Sequence, residues 1–312
     1  MVDSVNAELK SKSTVKKRQS KNEWKTGLLF VLPGLTGFIV FVLIPFLMSF
    51  FLSFTEWNFL QGIDAIKFNG INNYLKLSND EWFVNSFWNN IIFTIGTVPV
   101  LLAVGLMMAA IIDRYIKYGG LIKVLVFIPY IASVVAIATV WMMLFEPTQG
   151  PINQFLMNLG VTNPPGWLTS FEWSLPSIMI VYIWQQLGYF IIVFTSGLKS
   201  IPEEVYEAAD MDGAGPIRKF LTITVPMMSP TTFFLATMGI IGTFKVFDQV
   251  SVMTQGGPGS SSSVMAYYIY RAAFLDFETG YSNALAWALF GVIFIVTIAG
   301  QKAQRKYVDS YQ

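Results

Sequence analysis

The sequence predicts an all-α integral membrane protein with about six transmembrane helices and a short surface helix between spans four and five. Three observations carry this. Hydrophobic residues make up 54% of the chain and charged residues only 12%, against about a quarter charged in a soluble domain, and the mean hydropathy is +0.54. Six apolar runs are long enough to cross ~30 Å of hydrocarbon, which takes roughly 20 residues each. One polar island, Glu207-Ala208-Ala209-Asp210-Met211-Asp212-Gly213, interrupts them.

The chain contains no cysteine and no histidine. That excludes disulfides, Cys nucleophiles and Ser/His dyads, and leaves zinc or haem almost nothing to bind. No metal site is expected. Residues 1–26 carry Lys10, Lys12, Lys16, Lys17, Arg18, Lys21 and Lys25 without an apolar run, and read as a solvated cytoplasmic basic tail. An orientation signal beside a membrane span is the preferred reading, with lipid or nucleic-acid binding the lesser alternative. The remainder, 27–312, reads as one transmembrane domain.

The apolar runs lie near 27–54, 86–112, 121–145, 174–198, 227–250 and 282–300. The first is longer than a span needs and contains Pro33 and Pro45, so a tilt or kink is expected. Trp57, Trp82, Trp88, Trp141 and Trp173 fall near span ends, where indoles anchor at the interface. A cytoplasmic N-terminus places sixteen Lys and Arg inside and three, Lys67, Lys76 and Arg271, outside, with Lys245 in a span. Both termini are therefore expected in the cytoplasm of a multi-pass protein of the cell membrane. The outer loops 55–85, 146–173 and 251–281 read as short and turn-rich, as in Asn163-Pro164-Pro165-Gly166 and Gly256-Gly257-Pro258-Gly259.

With that topology the polar island faces the cytoplasm. Ser200 and Glu203 have the spacing of a capping box, Pro202 suits a first helical turn, and Gly213 and Gly215-Pro216 supply a stop. The carboxylates Glu203, Glu204, Glu207, Asp210 and Asp212 are either a solvated loop surface or a patch that meets basic groups on a cytosolic partner.

Polar side chains inside spans are costly and usually face a cavity. Tyr182, Gln185, Gln186 and Tyr189 recur at i, i+3, i+4 and i+7 in span four, which places them on one helical face. Amides bond hydroxyls and aromatic rings pack on the apolar faces of pyranoses, so this face suits a sugar pathway; the alternative is bonding between neighbouring helices. In span five, Thr243, Lys245 and Asp248 are the matching candidates. Lys245 and Asp248, three apart, either form an internal ion pair or present Lys245 to an acidic substrate.

The island has a wider pattern: Glu207-Ala208-Ala209, then Gly213, Ile223 and Pro226. This spacing resembles the cytoplasmic loop of permease subunits in binding-protein-dependent ATP-binding cassette importers, with Val225 standing where Leu is usual. The segments Phe68-Asn69-Gly70-Ile71-Asn72-Asn73-Tyr74, Pro147-Thr148-Gln149-Gly150-Pro151-Ile152-Asn153 and Phe247-Asp248-Gln249-Val250, the last leading into Thr254-Gln255-Gly256-Gly257-Pro258, are similar to the carbohydrate-uptake branch and its maltose-type first permease. The resemblance covers nearly all the chain after residue 27.

The resemblance implies a coupling helix over roughly 200–215 that docks on an ATPase, through Glu203, Glu207, Ala208, Ala209, Asp212 and Gly213. It implies a sister permease, two copies of a cytosolic ATPase subunit and an extracytoplasmic sugar-binding protein, with membrane lipid around the spans and no nucleic acid. No Gly-x-x-x-x-Gly-Lys-Ser/Thr loop occurs, so the chain is expected to be no enzyme and to bind no cofactor itself, ATP and Mg²⁺ belonging to the ATPase subunits. The substrate it implies is a carbohydrate, neutral or acidic. Two readings from other classes stand beside it: an ion-coupled secondary transporter, which would carry inverted repeats and titratable groups at mid-membrane, and a membrane scaffold recruiting a cytosolic partner.

Overall fold

A computed structural model describes residues 24, 26–116 and 119–308. The basic tail, Trp24 and Thr26 apart, and Lys117 lie outside the described residues. The chain divides into two units, 1–53 and 54–312. In the first, helix α1 (Thr26–Leu52) contains a π-turn at Ile39–Leu43 just before Pro45. That insertion is one of the recognised ways a helix accommodates a following proline. None of its most apolar stretch is buried within the structure.

The second unit opens with a small antiparallel hairpin, β1 (Thr55–Glu56) against β2 (Lys67–Phe68), with Thr55 opposite Phe68. Helix α2 (Asn72–Leu77) follows, then the long α3 (Glu81–Tyr115). Asp80 caps α3, its Oδ1 accepting from the amides of Trp82 (2.9 Å) and Phe83 (3.3 Å), the usual means of satisfying a first-turn donor.

Span three is not one straight helix. It is α4 (Gly119–Ile131) and α5 (Val134–Leu144), bent by 94° at a short break. Pro129 lies in the last turn of α4, where the ring removes a helical donor and crowds the preceding turn. Among the described residues the long apolar helices therefore number five, or six if the bent pair is a single span.

The loop after α5 carries α6 (Pro151–Asn158), and α7 (Ser174–Leu198) forms the centre of the unit. It packs along α3 and α4. Glycines set the spacing: a Cβ on Gly188 would lie 2.1 Å from the Val126 carbonyl oxygen of α4, and one on Gly96 would lie 2.0 Å from the Met179 methyl of α7. Close backbone approach of this kind is how membrane helices gain packing without a hydrophobic drive between them. Buried Phe93, Leu101, Ile178, Ile191, Phe194 and Leu235 fill the interface.

The polar island forms α8 (Glu203–Met211), followed by α9 (Pro216–Lys219), a π-turn at Phe220–Thr224 and a short turn to α10 (Ser229–Phe244). Span five then breaks. The helix ends at Phe244 and restarts as α11 (Asp248–Met253), so Lys245 and Asp248 do not share one continuous helix as their spacing suggested. The segment after it is more ordered than the turn-rich loop expected: it contains α12 (Met265–Phe274), which packs on α13 (Thr279–Val308). Leu77, Tyr268, Ala272, Tyr281 and Leu285 make a second, smaller core there.

Candidate functional site

Two places concentrate the sequence-predicted residues: α8, and a cavity at the break in span five. On α8 the capping box does not form. Ser200 Oγ donates instead to the Gly197 carbonyl at 2.6 Å, and Pro202 occupies the cap with no side-chain bond. Glu203 and Glu204 still sit in the first turn, where carboxylates oppose the positive end of the helix dipole. The stop is as expected. Gly213 takes φ +72°, its amide reaches the Asp210 carbonyl (3.0 Å), and the Ala214 amide reaches that of Ala209 (2.9 Å), the two bonds of a Schellman cap that glycine favours.

The helix has two unlike faces. On one, the Tyr206 hydroxyl shares a hydrogen bond with Thr224 Oγ1 (2.9 Å), and its ring lies 5.1 Å from the Arg114 guanidinium. Asp210 on the same side pairs with Lys219 and, at 3.9 Å, with Arg114. The hydrogen bond from Lys219 holds the Asp210 carboxyl below its ordinary value, and the charges of Lys219 and Arg114 act in the same direction. Asp210 is thus committed inside the chain. Away from that side Glu207, Ala208 and Asp212 are exposed, with Met211 88% exposed and Ala209 half-buried, while the exposed Glu203 lies on the Tyr206 side. Contacts run from α8 to α3 through Arg114, to α9 through Lys219 and to the π-turn before α10 through Thr224.

The cavity has a volume of about 370 Å³ and is lined by Tyr182, Gln186 and Tyr189 of α7, Tyr130 of α4, and Lys245 to Gln249 at the break. The end of α10 is tied to a residue far away in sequence. Asn90, fully buried in α3, donates from Nδ2 to the Thr243 carbonyl (3.0 Å), while its Oδ1 accepts from the Met265 amide at the start of α12 (2.8 Å). One amide side chain therefore bonds backbone groups at two helix ends. Thr94 Oγ1 meets Thr243 Oγ1 at 2.8 Å beside it.

Four of the pathway candidates from α7 thus separate. Tyr182, Gln186 and Tyr189 line the cavity, whereas Gln185 is 2% exposed behind the wall and accepts from Gln249 Nε2 at 2.8 Å. Thr243 is also behind the wall, its hydroxyl donating to Ile240 O at 2.8 Å. Lys245 and Asp248 both line the cavity, and among the described residues no ion pair joins them; the break turns them out of helical register. Gly242 leaves room for Tyr182, since a Cβ there would sit 2.9 Å from its hydroxyl.

Sequence reasoning missed Asn90 and Tyr130. Tyr130 stacks on Tyr189 with ring centroids 5.0 Å apart and extends the aromatic wall. The available signal was the polar run Asn89-Asn90 with Thr94 inside an apolar span, a costly placement that ordinarily marks function.

Residues 101–308, more than half of the chain, match the family model described as "binding-protein-dependent transport system inner membrane component". The chain belongs to this permease family. The permease is 31% identical over 293 residues to the lactose transport system permease protein LacF of Rhizobium radiobacter, covering 93% of this chain and 95% of that one. It is 31% identical to the arabinooligosaccharides transport system permease protein AraP of Bacillus subtilis, covering 88% and 87%. Among solved structures, a chain of a bacterial ABC transporter involved in import of the acidic polysaccharide alginate superposes with TM-score 0.80 at 22% identity, over 93% of this permease and 99% of that chain. The methionine transporter MetNI gives TM-score 0.53 at 16% identity, over 72% and 95%. These structural likenesses show the fold. Family membership places this multi-pass permease in the inner membrane and sets aside the secondary-transporter and scaffold readings.

Proposed function

We propose that this permease is one half of the membrane part of an ATP-driven importer, and that its solute is a carbohydrate delivered by an external binding protein. The observation that carries the solute class is the cavity: several aromatic rings, the amides Gln186 and Gln249 and one group of each charge converge on about 370 Å³. That volume and mixed lining suit a small polar ligand, with Tyr130 and Tyr189 stacked as a platform for a pyranose face. The names of the relatives, which include lactose and arabinooligosaccharide systems, support the same class. Lys245 extends the reading to acidic sugars, in keeping with the alginate importer among the structural neighbours.

The same reading makes α8 the coupling helix, with Glu203, Glu207, Ala208, Ala209, Asp212 and Gly213 meeting a cytosolic ATPase that supplies ATP, Mg²⁺ and force. A sister permease completes the pathway, both termini face the cytoplasm, and residues 27–312 act as one transport domain behind the tail. Conformational bias comes only from a partner that binds the inward- and outward-open states differently, which here is the ATPase pair.

Uptake by the reconstituted assembly, screened over neutral and uronate-containing oligosaccharides, tests the proposal. Gln186→Ala removes a sugar-bonding group and should cut uptake about tenfold, the weight of one hydrogen bond to a polar ligand. Lys245→Gln should lower affinity for acidic sugars selectively. Absence of any oligosaccharide uptake, or uptake indifferent to Gln186→Ala, overturns the carbohydrate reading; unchanged acidic-sugar affinity in Lys245→Gln overturns the role of the lysine.

A further inference from the structure

A second cavity, of about 750 Å³, opens beside α8, between the last turns of α3, the end of α7 and the segment around α9. One wall is apolar and unusually open: Met107 and Ile111 belong to α3, and Ile217 and Leu221 are 77% and 59% exposed. Arg114 and Lys199 supply charge at the rim. Asp113 on the same rim is taken by Lys123 at 3.0 Å, and the buried Lys219 is taken by Asp210. Lys199 has no ion pair among the described residues, Arg114 has only its 3.9 Å contact with Asp210, and Glu203 is the one lining carboxylate without an ion pair.

We propose that this cavity seats an anionic glycerophospholipid, with its phosphate on Arg114 and Lys199 and the upper part of its acyl chains along Met107, Ile111, Ile217 and Leu221. The argument is one of position and paired chemistry. Arg114 ends the apolar helix Glu81–Arg114, and Lys199 directly follows Ser174–Leu198, so both cations flank the ends of membrane-length helices while the apolar wall lies beside them. A boundary of cationic groups and hydrocarbon is what a lipid headgroup and its first methylenes require. A soluble anion would gain nothing from the exposed Ile217 and Leu221, and a zwitterionic lipid would gain little net charge attraction from the two bases. Because Arg114 also touches Tyr206 and Asp210 of α8, an occupied cavity would bias the position of that helix; this consequence, unlike the binding, rests on the coupling reading.

Native mass spectrometry of the purified whole assembly, offered phosphatidylglycerol and phosphatidylcholine together, tests the binding without reference to the transported solute. Phosphatidylglycerol should be retained over phosphatidylcholine. Lys199→Gln, which leaves every α8 contact in place, should weaken its retention roughly fivefold, and the double variant with Arg114→Gln roughly thirtyfold. Leu221→Asp should also weaken it with both bases intact. The proposal is overturned if the two lipids are retained equally, if Lys199→Gln and Leu221→Asp both leave phosphatidylglycerol retention unchanged, or if inorganic phosphate displaces it at equal concentration. A photo-crosslinker placed at Leu221 that captures the sister permease or an ATPase subunit in place of lipid overturns it equally.

Discussion

Gln249 Nε2 donates to Gln185 Oε1 at 2.8 Å, and both side chains are buried. This bond fastens α11, just past the break in span five, to α7 behind the cavity wall. Removing one partner leaves the other amide unsatisfied, so Gln185→Leu and Gln249→Leu should each destabilise the permease by about 1–3 kcal/mol, while the double variant recovers much of the loss. Thermal unfolding of the purified assembly through this cycle checks it; two single effects that simply add would contradict a direct bond.

Gly188 and Gly291 make an internal comparison. Gly188→Ala would force α4 and α7 apart at the Val126 carbonyl, whereas a Cβ on Gly291 meets nothing within 4 Å. The first should cost about 1–3 kcal/mol, as overpacking does, and lower the thermal midpoint. The second should be neutral or slightly stabilising, alanine being the better helix former.

Asp80 ties three elements together. Its second oxygen accepts from the hydroxyls of Tyr268 and, at 2.5 Å, Tyr281, while Lys76 lies over the Tyr281 ring and pairs with Glu278 at 2.5 Å. Burial pushes the Asp80 carboxyl up, but the two tyrosines and the Phe83 and Trp82 amides together bring it below the ordinary 3.8. The Tyr268 phenol is pushed up, first by burial and then by its bond to Asp80. Because the folded value for Asp80 is the lower one, its contribution is complete above pH about 4 and is lost as pH falls through the folded value. An acid titration followed by tyrosine and tryptophan fluorescence should show that transition in the wild type and a flattened one in Asp80→Asn.

The chain wrote some of this plainly. The apolar runs marked α3, α7 and α13, and the glycine at 213 marked the end of α8, because those signals are local: run length, and a positive φ that only glycine adopts freely. The break in span five was not legible. No proline or glycine stands between Phe244 and Asp248, and the Asn90 that satisfies the broken end is 153 residues from Thr243. The division of the α7 face was hidden for a related reason. Helical periodicity puts Gln185 and Gln186 on neighbouring azimuths, and only the partner Gln249 decides which is buried and which faces the cavity. The bend at Pro129 had its signal in the sequence, but a proline in a membrane helix is tolerated often enough that it does not announce 94°.

Glu207→Lys tests the central claim, that α8 passes force from an ATPase to the spans. Glu207 is exposed on the outer face of α8 and touches none of the ion pairs that hold the inner face, so the variant should insert and assemble in the membrane normally. ATP-driven uptake in proteoliposomes, measured together with binding-protein-stimulated ATPase activity, should then fall at least tenfold. Wild-type uptake and stimulation in a correctly inserted Glu207→Lys assembly would contradict the account.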